Sequence, residues 1–460
     1  MRLLTLVATA VGVALLSCAA GAAGAADIAG GARAAGVAGA VGAASAASVA
    51  GVAGAGGYLA SAADVASGGR AAGAVAAATG GVLRARALGV PFEGTPGPNN
   101  AITDVPGVEV GHVTHVSGDG PLKIGTGPIR TGVTVVLPRG RASADSVYGG
   151  FFDLNGNGEL TGQSYLQDFG VVIGPIGISN TNAIGQVYAG IQQWTQDKFK
   201  LAATPVVAET WDGRLNDLGG FHVQPADAVA AIEAARSGPV VEGNVGGGTG
   251  MVCFGFKGGI GTASRKVVIE AKTYTVGVLV QCNTGDRQTL RISGVPVGAE
   301  LSNSWLPCYD PALAPADKIP RCAGQSTAGH TPPDEGSIII VIATDAPLMP
   351  VQLNRVARRA ALGLGRLGSY SGNGSGDLMV AFTTATAAAN DPDQTHPSTL
   401  TPLASDRLDP LFKGVVEATE ESVVNALVAA RTMTGADGYR FYGIPHEPLR
   451  AILKRYGRLQ

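Results

Sequence analysis

Asp334-Glu335-Gly336-Ser337-Ile338-Ile339-Ile340-Val341-Ile342-Ala343-Thr344-Asp345 is the stretch on which the reading of the fold turns. A loop ends in Gly-Ser, and an apolar, mostly β-branched run begins there, the mark of a buried strand. On its own a Gly-Ser step is ordinarily a plain turn-to-strand junction. Its company changes the reading. Thirty-eight residues beyond Ser337 lies Ser375, within Asn373-Gly374-Ser375-Gly376-Asp377, and that glycine-rich turn opens into a second apolar run, Leu378-Met379-Val380-Ala381-Phe382. A helical pattern over Val351–Leu367 lies between them. Two adjacent strands joined through a helix bring both strand starts together.

The chemistry of such a pair is coherent. A hydroxyl at neutral pH is a weak nucleophile and needs a base. If the peptide bond before Ser337 is cut, Ser337 becomes a chain terminus. Its α-amine then titrates at about 7.7–8.0, close enough to neutral to take the proton of its own hydroxyl. Ser375 and Asp377 can orient that amine and relay a proton. Gly336 gives room for hydroxyl attack on its own carbonyl.

Around this centre the folded part extends from about Leu88 to Gln460 and reads as one large α/β domain. Further strands are expected at Gly132–Leu137, Gly170–Ile173, Val267–Ile269 and Tyr274–Gln281, and further helices at Ala226–Arg236 and Phe412–Arg431. Residues 302–334 are rich in proline and turn formers and read as a surface insertion.

Upstream, residues 1–26 read as a secretory signal peptide: Met1-Arg2, an apolar run Leu3–Leu16, then small residues. The run is short for a transmembrane helix. Leu15-Leu16-Ser17-Cys18 resembles a loose lipoprotein box, which leaves a lipid anchor at Cys18 as the alternative. Residues 27–87 are nearly all Ala, Gly, Ser and Val and bury too little to offset ordering. An exported, periplasmic or extracellular protein is expected.

Composition excludes as much as it suggests. With 33 basic against 35 acidic residues, nothing marks a nucleic-acid surface. Of five cysteines, Cys308 and Cys322 share the insertion, which leaves a bridge between them open. Cys253 and Cys282 sit in apolar surroundings and are expected to be buried free thiols. Neither they nor the six histidines show zinc spacing, and His112 and His115 are expected at the surface. Asp153-Leu-Asn155-Gly-Asn157-Gly158 begins like a calcium loop, but Ser164 stands at its twelfth position; a turn is the simpler reading. Gly246-Gly-Gly-Thr249-Gly250 lacks the Gly-Lys-Ser/Thr ending of a phosphate loop.

The chain resembles the autoprocessing aminopeptidases of the DmpA type, the L-aminopeptidase/D-esterases and β-aminopeptidases. The matching runs are Ile102-Thr-Asp-Val-Pro-Gly-Val-Glu-Val-Gly-His112, Gly156-Asn-Gly-Glu-Leu-Thr-Gly162, Gly243-Asn-Val-Gly-Gly-Gly-Thr-Gly250, Lys257-Gly-Gly-Ile-Gly-Thr-Ala-Ser264, and Gly336-Ser-Ile-Ile through Ala-Thr-Asp-Ala-Pro347. The resemblance implies a four-layer αββα sandwich like that of N-terminal-nucleophile hydrolases, with the different connectivity of the DmpA/ornithine acetyltransferase type. It implies self-cleavage between Gly336 and Ser337, giving an α chain to 336 and a β chain of 337–460. It also implies metal-free, cofactor-free release of N-terminal residues from short peptides, amides or esters, and a homo-oligomer.

Carried over by position, Ser337 matches the nucleophile and Ser375 the assisting serine. Asp377 stands where the best-known members have Glu. Asn283 matches the amide that holds the oxyanion. Trp211 replaces a tyrosine, so it can donate a hydrogen bond but not accept one. Glu209 is placed to receive the substrate ammonium; otherwise it is a surface carboxylate. Lys257 is as readily a solvated lysine as a site residue. The alternatives are an amide-oligomer hydrolase or acyltransferase of the same fold, and a catalytically inactive binding protein.

Overall fold

Ile338, Ile340 and Ile342 point one way along their strand and Ile339, Val341 and Ala343 the other, and all six are fully buried. A strand with no polar face needs cover on both sides, and this requirement organises the molecule. The computed structural model describes residues 83–313, 322, 336–385 and 400–459; the proposed signal peptide, nearly all of the Ala/Gly-rich stretch and most of the 302–334 insertion lie outside them.

The strand in question, Ser337–Thr344, belongs to a six-stranded sheet. In chain order the strands of the two main sheets are β1 (Glu109–Ser117), β2 (Ile129–Leu137), β3 (Val147–Gly156), β4 (Val171–Val172), β5 (Ile176–Asn180), β6 (Val206–Thr210), β7 (Gly259–Ile269), β8 (Lys272–Asn283), β9 (Ser337–Thr344) and β10 (Gly376–Thr383). One sheet runs β1-β2-β5-β6 and the other β4-β3-β10-β9-β8-β7. The principal helices are α1 (Ile184–Phe199), α2 (Pro225–Ala234), α3 (Pro350–Arg366) and α4 (Asp409–Ala429).

Helices α1 and α2 pack on the four-stranded sheet, where Val133, Val135 and Leu137 meet Val187, Ile191, Ala231 and Ile232. Helices α3 and α4 cover the six-stranded sheet, where Ile338, Ile340 and Ile342 meet Val356, Ala360, Leu364 and Ala418. Between the sheets, Ile339, Val341 and Val380 share a core with Val136, Ile176, Ile178 and Ala208. The result is the αββα sandwich. β9 and β10 are parallel neighbours joined through α3, in the register Ser337↔Gly376, so the two strand starts do meet.

Both cysteine pairs are bridged. Cys308–Cys322 realises the bridge left open by the sequence, with Cα atoms 5.0 Å apart. Cys253 and Cys282 are not the free thiols expected: they form a second disulfide with Cα atoms 5.5 Å apart. The hairpin Val252–Cys253/Phe256–Lys257 folds Cys253 back onto the end of β8, a tertiary event that spacing alone does not announce.

Two smaller readings also change. Asp153–Gly156 is the end of β3 rather than a turn. His112 is half-buried, within 3.0 Å of Thr134, and burial lowers its pKa to about 4. His115 pairs with Asp227 at 3.0 Å. Within the Gly246–Gly250 run, Gly246–Gly248 form a short 3-10 turn packed between the sheets; a Cβ on Gly247 would lie 2.2 Å from Gln281 Oε1. Its glycines answer to packing. Among the described residues no helix is long and apolar enough to cross a membrane, and no cluster of metal-ligating side chains occurs.

Candidate active site

The site forms where β8 ends and β9 and β10 begin. Ser337 opens β9, paired with Asn283 on the antiparallel side and Gly376 on the parallel side. Only 5% of Ser337 is exposed. The Gly376 N–H is shared: it donates to Ser337 Oγ at 3.2 Å and to the Gly336 carbonyl at 3.2 Å. One backbone dipole therefore touches both the hydroxyl and the carbonyl that the hydroxyl would attack in self-cleavage. Gly336 is required by space as well, since a Cβ there would lie 1.7 Å from the carbonyl oxygen of Asn283.

Behind Ser337 runs a buried polar chain. Ser375 Oγ donates to Asp377 Oδ1 at 2.7 Å and lies 3.1 Å from Thr284 Oγ1. The turn that carries Ser375 is held from the end of β3 and the residue beyond it: Asn155 donates to the Gly372 carbonyl at 2.6 Å and Asn157 to the Gly374 carbonyl at 2.6 Å. Sequence reasoning missed Thr284, Asn155 and Asn157. Their signal was faint: Thr284 merely follows Asn283, and the two asparagines read as turn formers.

Asn283 is oriented at both ends of its amide. Oδ1 accepts from Val252 N at 2.7 Å, and Nδ2 donates to the Trp211 carbonyl at 3.0 Å. Trp211 thus reaches the site through its main chain. Its half-exposed indole lies over Gly213, with the Arg214 guanidinium 5.5 Å from the ring centre.

Glu209 is no surface carboxylate. It sits at the end of β6, 4% exposed, taking bonds from Thr181 Oγ1 at 2.5 Å and Glu159 N at 3.2 Å. Burial raises its pKa above the usual carboxylate value. A Cβ on Gly158 would sit 3.1 Å from Glu209 Oε1 and 3.6 Å from Gly376 Cα, which fixes the carboxylate beside the Ser337 corner. Lys257 is fully buried rather than solvated. Its ammonium donates to the carbonyls of Met251 (2.6 Å), Gly258 (2.8 Å) and Gly248 (3.3 Å), while burial lowers its pKa to about 7.

A serine at a strand start, a shared backbone donor, a relay of hydroxyls ending on a carboxylate and an aligned amide together define a serine hydrolase of the N-terminal-nucleophile type. Residues 100–441 match peptidase family S58, and the chain belongs to that family. It is 52% identical over 382 residues to the beta-peptidyl aminopeptidase BapA of Sphingosinicella microcystinivorans, covering 82% of this chain and 93% of the relative. The corresponding enzyme of Sphingosinicella xenopeptidilytica is 50% identical over 379 residues, covering 81% and 91%. Among solved structures, the L-aminopeptidase D-Ala-esterase/amidase of Ochrobactrum anthropi superposes with a TM-score of 0.73 at 42% identity, covering 82% of this chain and 99% of that one. That structure is described as a variant of the N-terminal-nucleophile hydrolase fold. The protein is an aminopeptidase, a self-cleaving serine hydrolase of this family.

Proposed function

We propose that the chain cuts itself between Gly336 and Ser337 and then removes N-terminal β-amino acid residues from short peptides and amides. The observation that carries this reading is the Gly376 N–H shared between Ser337 Oγ and the Gly336 carbonyl. In self-cleavage Oγ attacks that carbonyl, the amide shifts to an ester as the Ser337 α-amine is freed, and water then hydrolyses the ester to a Gly336 carboxylate and the Ser337 hydroxyl.

In turnover, that amine takes the Ser337 hydroxyl proton as Oγ attacks the substrate carbonyl. Ser375, held by Asp377 and Thr284, keeps the amine oriented. The Asn283 amide receives the developing oxyanion. The protonated amine then passes its proton to the leaving amine, and water resolves the acyl-enzyme. Glu209 receives the substrate ammonium; carboxylate and nucleophile sit at the same corner, which limits the enzyme to chain ends. The preference for β-aminoacyl groups rests on the 52% and 50% identical beta-peptidyl aminopeptidases. Export through the 1–26 signal and assembly as a homo-oligomer complete the proposal.

A panel of β-, α- and D-aminoacyl amides tests it, together with the intact mass of the purified protein. The expected result is two fragments meeting at Gly336/Ser337 and the highest kcat/KM on β-aminoacyl amides. A higher value on α-aminoacyl amides overturns the substrate assignment, and an uncut but active chain overturns the mechanism.

A further inference from the structure

The hydrogen bond that sets the Asn283 amide joins two residues that each flank a bridged cysteine. Val252 donates to Asn283 Oδ1 at 2.7 Å. Cys253 follows Val252, Cys282 precedes Asn283, and Cys253 and Cys282 are disulfide-bonded with both side chains fully buried. The same two segments are tied once more, by Phe254 N to the Thr284 carbonyl at 2.7 Å. On the far side of the donor, the Met251 carbonyl is held by Lys257 Nζ at 2.6 Å. The donor is thus anchored on both flanks, and the acceptor is covalently coupled to it one residue away.

We infer that the Cys253–Cys282 disulfide is a positioning element for acyl transfer, fixing the rotation of the Asn283 amide so that its second N–H meets the substrate oxygen. This rests on the oxyanion reading of Asn283 given above. A side-chain amide free to turn about its terminal torsion has a broad, nearly two-fold profile. One misaligned orientation presents its carbonyl oxygen to the developing negative charge. Rigid alignment matters because a preorganised donor costs no reorganisation in the transition state. A staple at this place acts on kcat, since the substrate gains the interaction only as the oxyanion forms.

The experiment uses the full chain in a Cys308→Ser/Cys322→Ser background, so that one disulfide remains. Protein is prepared under reducing conditions, assayed, then oxidised and assayed again, with thiols counted by alkylation and mass. Oxidation is expected to raise kcat about tenfold with KM within twofold, and to speed self-cleavage similarly. Equal kcat in the two states overturns the inference. A Cys253→Ala/Cys282→Ala variant gives the same comparison without a redox step.

A double-mutant cycle separates alignment from general stiffening. Asn283→Ala alone is expected to lower kcat by about 10²–10³, the usual cost of an oxyanion donor; no loss there rejects the oxyanion reading itself. With Asn283 already removed, loss of the disulfide is expected to cost kcat nothing further. Effects that multiply show a structural staple and reject the inference while leaving the oxyanion reading intact. Where mature enzyme does not accumulate, the rate of self-cleavage followed by intact mass closes the same cycle.

Discussion

In the proposed mechanism Ser337 carries two roles that most serine enzymes divide between residues, and this makes single substitutions unusually informative. Ser337→Ala is expected to abolish both fragment formation and peptide hydrolysis; either activity surviving would remove Ser337 from the centre. Ser375 stands between Thr284 Oγ1 at 3.1 Å and Asp377 Oδ1 at 2.7 Å, and in that mechanism it positions and relays without attacking. Ser375→Ala is therefore expected to lower kcat by about 10²-fold, within the ordinary range for proton-transfer assistance, with KM little changed. A KM effect alone would make Ser375 a substrate contact. Lys257 yields a prediction about stability. Burial depresses its folded pKa to about 7 from 10.5. Between those values the unfolded chain holds the extra proton, so stability rises as pH climbs through that window. Lys257→Met is expected to flatten the rise, up to ~2 kcal/mol between pH 7 and 9 at 1.36 kcal/mol per unit. Urea midpoints at the two pH values measure it, and an unchanged slope places the charge elsewhere.

At the scale of elements, the site is the product of one crossover, β9–α3–β10, and its supports. That crossover was legible because each part has its own local signal: two apolar β-branched runs, a helical period between, and Gly-Ser or Gly-Ser-Gly at each strand start. The observed β9 (Ser337–Thr344) and α3 (Pro350–Arg366) lie within a residue or so of the expected bounds. Asn283 and Glu209 came only from resemblance, because a turn asparagine and an acidic strand end have no distinctive local pattern. β1, β3, β5, β6 and α1 were not read at all. Their residues mix glycine, threonine and other polar residues with apolar side chains, so no clean period of two or 3.6 marks them. The Cys253–Cys282 bridge escaped because it exists only once a hairpin has folded over β8. Gly336→Ala tests the strand junction directly. A Cβ 1.7 Å from the Asn283 carbonyl must push β8 and β9 apart where the Gly336 carbonyl, the proposed point of cleavage, meets the Gly376 N–H. Self-cleavage is expected to slow at least tenfold. Cleavage at the wild-type rate, timed by intact mass, would show that the junction yields without cost.

Across the whole molecule, the stretch just ahead of the sandwich behaves as part of its core. Ala85, Leu88 and Val90 are buried among residues of α4 and the six-stranded sheet. Arg84 pairs with Glu242 at 2.7 Å, and Arg86 pairs with Glu421 at 2.7 Å. Glu421 is itself fully buried and also meets Arg265 at 2.8 Å and the Asn100 amide at 2.6 Å. Removing Arg86 therefore deprives a buried carboxylate of one of two cations, the circumstance in which losing a partner costs most. The apolar part alone is substantial, since burying a Leu or Val side chain stabilises by roughly 1.5–3 kcal/mol. Two truncations separate these contributions from anything further upstream. A chain beginning at Leu83 retains both ion pairs and all three apolar residues, and its melting temperature is expected to stay within ~2 °C of the full chain. A chain beginning at Gly94 loses them all; at roughly 2–4 °C per kcal/mol for a domain of this order, its melting temperature is expected to fall by at least ~5 °C. Because α4 packs directly on β7 and β8, self-cleavage should slow in the shorter chain while Ser337 and its partners are untouched. If both truncations melt alike, the 84–90 segment rides on the fold without bracing it, and the support for β8 must come from α4 alone.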